Sequence, residues 1–237
     1  MSFLVNTKYR SEAPEIMDDF TLEGKLLRDT FDKLELINRL LGGNRVTLNG
    51  VKRILQNSSK EKEITIIDIG CGHGDILRDI GKMGRKEGYN FKLIGVDANT
   101  DAIAYANELS LDYPELSFYN LDIFSEEYEK LKADVVLCTL FLHHFKPKEV
   151  LKLLKYNLEK ASIGMVINDL HRSKTAYYLF KAITVFEPNY MIRQDGLTSV
   201  LKAFKRKDLE NITKELNAKA SIKWMWAFRY QWILKNK

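Results

Sequence analysis

Cysteine is scarce in this chain: 237 residues contain two, Cys71 and Cys138. That excludes a disulfide framework and leads one to expect a reducing, cytoplasmic setting. Histidine is nearly as sparse, with four residues. These residues show no metal-ligand spacing, and the side chains of the adjacent His143 and His144 would ordinarily diverge, so no metal is expected. No stretch approaches the roughly 18 apolar residues of a membrane helix. Met1 to Asn6 lack the apolar core of a signal peptide. Internal repeats and low-complexity tracts are absent as well.

What remains is an ordinary globular composition, 45% hydrophobic and 29% charged, long enough for one α/β domain with additions. The net charge of +5 raises the question of nucleic acid. The lysines are nonetheless spread over helix surfaces: Lys146, Lys148, Lys152 and Lys155 recur at the spacing of a solvated face. Lys202, Lys205, Arg206 and Lys207 form the densest cluster, and no zinc knuckle or RNP-type segment accompanies it. A nucleic-acid partner is therefore not expected.

From Ile64 onward, short apolar runs alternate with helical periodicity. Strands are predicted over 64–69, 91–97, 116–120, 133–139 and 162–168, and helices over 75–87, 100–110, 147–159 and 207–217, with a short one near 125–131. Such alternation requires a parallel sheet with right-handed crossovers. Ala220 to Lys235 is strand-like throughout and reads as two antiparallel strands joined near Ala227 or as one long strand. Ahead of the sheet, an amphipathic helix is predicted from Thr21 to Leu41, ended by Gly42 and Gly43. A shorter one, capped by Thr47 or Asn49, follows it. Residues 1–60 thus form a helical cap before a domain over 61–237. An additional segment over about 169–205 carries Tyr177, Tyr178, Phe180, Phe186 and Tyr190, then Pro188 and a turn at Gln194-Asp195-Gly196. It reads as an apolar pocket wall or, alternatively, as an oligomer contact, a homodimer for instance.

The most informative stretch is Ile66-Ile67-Asp68-Ile69-Gly70-Cys71-Gly72-His73-Gly74-Asp75, a buried strand running through three alternate glycines into a helix start. Glycine lets the backbone turn sharply and approach a ligand closely. The dinucleotide fingerprint G-x-G-x-x-G fails, because its third glycine would fall on Asp75, which would repel a pyrophosphate. With Asp68 ahead of the loop, a cofactor with a positive end and no phosphate suits better, as S-adenosylmethionine does. The second strand also ends in an acid, Asp97, placed to accept hydrogen bonds from ribose hydroxyls. Further on come Asp122-Ile123, then Leu142-His143-His144-Phe145 after the fourth strand and Asn168-Asp169-Leu170-His171-Arg172-Ser173 after the fifth.

Over roughly residues 62 to 170 this series resembles the class I S-adenosylmethionine-dependent methyltransferases. The resemblance implies a Rossmann-like seven-stranded sheet, mostly parallel with an antiparallel last strand, N-terminal helices, and a helical insertion after strand 5 standing over the methyl group. It implies that Asp68, Gly70, Cys71, Gly72, Gly74, Asp97, Ala98, Asp122, Ile123 and Thr139 hold the cofactor, Asp122 at the adenine amino group and Ile123 against the ring. A small acceptor losing a proton needs a base, and His143 and His171 are the candidates on neighbouring loops. His144 reads as packing or capping, Asp169 as orienting a histidine or binding a polar substrate group, and Arg172 as holding an anion or facing solvent. The fourth strand lacks the Asn/Asp-Pro-Pro-Tyr/Phe segment of amino-methyltransferases, and no acidic cluster follows it to hold magnesium. The chain is similar to bacterial small-molecule enzymes grouped with the ubiquinone/menaquinone methyltransferases. The expected activity is methylation, O- rather than C-, of a largely apolar phenol, quinol, polyketide or lipid-like acceptor. An RNA methyltransferase and a non-catalytic binder of the same cofactor are the alternatives.

Overall fold

The computed structural model describes residues 5–237. Its frame is a seven-stranded sheet in the order β3-β2-β1-β4-β5-β7-β6. The strands are β1 (Glu63–Ile69), β2 (Asn90–Asp97), β3 (Leu116–Asn120), β4 (Ala133–Thr139), β5 (Ala161–Leu170), β6 (Lys219–Met225) and β7 (Arg229–Lys235). Strands β1 to β5 pair in parallel, while β7 runs antiparallel to both β5 and β6. The helices are α1 (Lys25–Leu40), α2 (Gly43–Ile54), α3 (Asp75–Glu87), α4 (Thr100–Leu109), α5 (Glu126–Glu129), α6 (Pro147–Lys160), α7 (Lys174–Ile183), α8 (Tyr190–Lys202) and α9 (Arg206–Leu216). The expected Rossmann-like fold is therefore present, and the last segment is a hairpin turning through Trp226–Phe228 rather than one long strand.

Strand alternation distributes the core over both faces of the sheet. Ile67, Ile69, Val136, Cys138, Ile167 and Trp232 pack with Val150, Leu153, Leu154 and Leu158 of α6 and with Leu209 of α9. Ile64, Ile66, Val135, Leu137, Val166 and Ile233 pack with Ile76, Leu77 and Ile80 of α3 and with Val51 and Ile54 of α2. The second of these layers makes α2 a part of the sheet's own covering. At Gly50 a Cβ would lie 2.4 Å from Val166, so only glycine lets α2 approach β5 this closely.

Three local expectations are corrected. The first helix begins at Lys25, after Gly24, whose N–H donates to Asp101 at 2.8 Å. Thr47 and Asn49 do not cap α2, which already starts at Gly43; Thr47 Oγ1 instead bonds Thr139 Oγ1 at 3.0 Å and accepts from Asn168 at 3.0 Å. Gln194-Asp195-Gly196 is not a turn but the middle of α8. Gly196 is there for proximity, since a Cβ would stand 2.2 Å from Phe180 of α7. No helix among the described residues is long and apolar enough to cross a membrane.

Candidate functional site

The carboxyl ends of β1, β2, β4 and β5 open into one cavity of about 910 Å³. This lies at the upper end of the roughly 300–1,000 Å³ typical of ligand pockets, room enough for two ligands side by side. Open α/β sheets bind ligands at this edge because crossover helices leave a crevice there.

One side of the cavity is built by the β1–α3 loop. Gly70 and Gly72 adopt left-handed backbone, with φ of 68° and 51°. A Cβ at Gly70 would lie 2.3 Å from the Phe141 ring, so a side chain there is excluded twice over. Leu140, with φ of 52°, turns the chain after β4. Gly74 is the exception among the expected cofactor residues: it caps α3 with φ of 77° and faces Phe118 instead of lining the cavity. Asp68 is buried, and its Oδ1 has no hydrogen-bond partner. Burial, then Asp75 and Asp97, pushes its carboxyl well above the ordinary carboxylate range. Asp97 accepts from Gly72 N–H and Asn99 N–H, each at 2.9 Å, and burial raises its pKa also. Asp75, raised by burial, is held by Asn44 at 3.1 Å. Three acids around one loop, Asp68 buried and Asp75 and Asp97 half-buried, favour a cation and disfavour a phosphate. Cys71 is buried and remains a thiol, its pKa raised by burial and then by Asp97.

Ala98, Asp122, Ile123 and Thr139 also line the cavity. Asp122 Oδ1 accepts from Phe124 N–H at 2.9 Å, and Ile123 is buried. Thr139 turns its hydroxyl to Thr47 of α2.

The opposite side is made by the histidine loops and the insertion. His143 and His144 do not diverge: a 3-10 turn over Leu142–His144 brings their ring centroids to 4.3 Å. His143 is 3% exposed, and its Nδ1 lies 2.8 Å from Asp169 Oδ1. Burial most strongly opposes its charge, but Asp169 and then Glu15 together raise its pKa, while that of Asp169 falls against the same burial because His143 faces it. Asp169 thus orients a histidine. His144 neither merely packs nor caps; its Nδ1 pairs with Asp18 Oδ1 at 2.6 Å. Glu15, His143 and His144 offer potential metal-ligand atoms within 4.8 Å of one another, contrary to the expectation from spacing. Lys202 Nζ lies 3.2 Å from both Glu15 and Asp18 and supplies positive charge in that cluster.

His171 lines the same cavity, with Trp224 Nε1–H donating to its Nδ1 at 3.2 Å. Burial, then Lys205 and Arg172, lowers its pKa. Arg172 does not face solvent: it is buried, donating to Thr7 O at 3.2 Å, Ala203 O, and Asp208 at 3.1 Å. From the insertion come Ala176, Leu179, Phe180 and Ile183 of α7 and Met191, Ile192 and Val200 of α8, an apolar wall. Asp195 of α8 accepts the Ile16 and Met17 N–H groups at 2.8 and 2.9 Å, fastening the segment that carries Glu15 and Asp18. Glu15, Asp18 and Arg229 were not singled out from sequence. Glu15 precedes and Asp18 ends a single 3-10 turn with no periodicity, and Arg229 sits in a segment of alternating sequence where an arginine reads as solvent-facing.

A family profile described as a methyltransferase domain matches residues 60–233. Among curated proteins, the putative methyltransferase 235L of Invertebrate iridescent virus 6 is 40% identical over 73 residues, 31% of this chain and 24% of that one. The chain thus spans about a quarter of that relative's length. Among solved structures, the plantazolicin methyltransferase BpumL in complex with SAH aligns with a TM-score of 0.65 at 19% identity, covering 90% of this chain and 94% of that one. Magnesium protoporphyrin IX methyltransferase ChlM of Synechocystis PCC 6803, also with SAH, aligns at 0.54 and 16% identity, covering 82% and 84%. At these identities the two structures establish a shared fold.

Proposed function

Since the chain belongs to the methyltransferase domain family, we propose that it is a class I S-adenosylmethionine-dependent enzyme that methylates a small, largely apolar acceptor, on oxygen in preference to carbon. The observation that carries this reading is the single cavity joining the acidic glycine loop to the apolar α7–α8 wall, with the His143–Asp169 pair beside them.

The cofactor fits this chain's own residues. Asp68 Oδ1, buried and without a partner, suits the ammonium of the methionine end. Gly70 and Gly72 leave the backbone open to close approach. Asp97 is fixed by two N–H groups and suits the ribose hydroxyls, with Ala98 beside it; Asp122 and Ile123 suit the adenine. Cys71 and Thr139 complete the lining, Thr139 braced by α2. Bound there, the cofactor supplies an electrophilic methyl group on a sulfonium.

The protein's remaining task is to position an acceptor and take its proton. With Nδ1–H donated to Asp169, His143 keeps its Nε2 lone pair for the acceptor hydroxyl. With the cofactor held by Asp68 and Asp97, its methyl group would be supplied to the acceptor oxygen, and His143 Nε2 would take the hydroxyl proton. His171 has the opposite arrangement: Trp224 occupies its Nδ1 lone pair, so the neutral ring presents Nε2–H and acts as a hydrogen-bond donor to the acceptor, not as the base. The plantazolicin methyltransferase BpumL, which shares this fold, has been solved with desmethylPZN analogues bound, and an organic acceptor of extended shape is in keeping with that.

The test is methyl transfer from labelled S-adenosylmethionine to panels of phenols, quinols, fatty acids and RNA. Labelling of the small apolar panels is the expected outcome; labelling of RNA alone, or of nothing while the cofactor binds, rejects this reading.

A further inference from the structure

Arg229 opens β7, opposite Leu170 of β5 and Met225 of β6. It is 4% exposed and lines the cavity. Nη2 donates to Asn38 Oδ1 of α1 at 2.7 Å, but Nε and Nη1 are buried without any hydrogen-bond partner. The guanidinium lies where the side chain of residue 43 would be, since a Cβ on Gly43 would stand 2.9 Å from its Cζ. Asp169, the carboxylate that favours its charge, is already engaged by His143 and the Leu170 N–H. Arg229 is the only lysine or arginine among the described cavity-lining residues; otherwise the charged lining is acids and histidines.

A buried guanidinium with unpartnered donors calls for an anion, because N–H groups removed from water need acceptors. Burial lowers its pKa to about 10, which still leaves it charged at neutral pH. With a single cation present and Asp68, Asp75 and Asp97 in the same lining, a monoanion is matched in charge and a phosphate dianion is not. We propose that Arg229 is a carboxylate-binding site inside the cavity, filled by the amino-acid carboxylate of the cofactor or by a carboxylate on the acceptor. This rests on the reading of the cavity as a cofactor-and-acceptor site and adds the chemical class of one bound group.

Calorimetric titration of the full chain tests it with two probe pairs. The first is S-adenosylhomocysteine against methylthioadenosine, which lacks the carboxylate. The second is 2-naphthoate against 2-naphthamide, each added to protein with and without S-adenosylhomocysteine. Arg229→Met removes the cation. Asn38→Asp retains it but supplies an internal carboxylate, which guards against a misfolded first variant. If the cofactor fills the site, both variants weaken S-adenosylhomocysteine at least tenfold and leave methylthioadenosine unchanged. If the acceptor fills it, S-adenosylhomocysteine is unaffected, and a wild-type preference for naphthoate over naphthamide of at least tenfold disappears in both. If S-adenosylhomocysteine is unaffected and naphthoate is never preferred, or the preference survives in folded Arg229→Met, the site is overturned. Absence of cofactor binding alongside a wild-type naphthoate preference that Arg229→Met abolishes would reject the methyltransferase reading and leave this site standing.

Discussion

The carboxylate of Asp169 grips His143 twice, through Nδ1 at 2.8 Å and through the backbone N–H at 3.2 Å. Ring orientation and backbone position are therefore set by one buried group, which also keeps the imidazole charge more favourable than burial alone would allow.

His143→Ala should lower turnover by about 10²- to 10⁴-fold, the usual contribution of a positioned base, with unchanged S-adenosylhomocysteine affinity. Because the His143 pKa is raised, the acidic limb of the rate profile should lie above the ordinary histidine value of about 6.5, activity growing as the ring loses its proton. Asp169→Asn removes the carboxylate that raises it and should shift the limb to lower pH. A limb that stays in place in that variant would take His143 out of the base role.

Asp68 is a buried acid whose ionised form is disfavoured before any cation arrives. Asp68→Asn should weaken S-adenosylhomocysteine by about 10- to 100-fold, equivalent to the roughly 1.5–3 kcal/mol of a charged hydrogen bond. The ligand-free protein should be no less stable, since an unpaired buried acid is removed. Thermal unfolding and calorimetry together read both effects, and equal affinity in the two proteins would reject the assignment.

At the neighbouring strand end, Asp97→Ala should reduce S-adenosylhomocysteine affinity by at least about tenfold through loss of a charged acceptor. The same change frees the Gly72 and Asn99 N–H groups, so hydrogen exchange at both should accelerate. Unaltered affinity would remove Asp97 from ribose binding.

Gly70→Ala brings a Cβ to 2.3 Å from Phe141 at a φ of 68°. A loss of about 1–3 kcal/mol is expected for the backbone strain alone. In a double-mutant cycle, Phe141→Ala should recover the steric part and leave the backbone part. Strict additivity of the two changes in chemical denaturation would contradict the contact.

Asp195→Ala should release the Ile16 and Met17 N–H groups, visible as faster exchange there, and lower turnover while cofactor affinity holds. Protection retained at both amides would show that the segment is held by something else.

Much of the sheet was legible because buried parallel strands read as apolar runs and α3 has a well-defined amphipathic stripe ended by glycine; β3, β4 and α3 have the bounds expected from sequence. The glycine loop was legible for the same local reason. Turn-forming residues misled at Gln194-Asp195-Gly196, where packing against Phe180 and the bonds to Ile16 and Met17 override local preference. Thr47 misled likewise, its hydroxyl being spent on Thr139 and Asn168 across the molecule. Arg229 and Glu15 could not be read, since their burial comes from elements distant in sequence that no periodicity reports.

The cavity draws its lining from Glu15 and Phe20 near one end of the chain and from Trp226 to Arg229 near the other. A partly folded chain therefore has no version of this site, however well its glycine loop is formed. Ligand occupancy is then coupled to the global unfolding equilibrium, and any molecule bound there should raise the melting temperature of the whole protein in one transition.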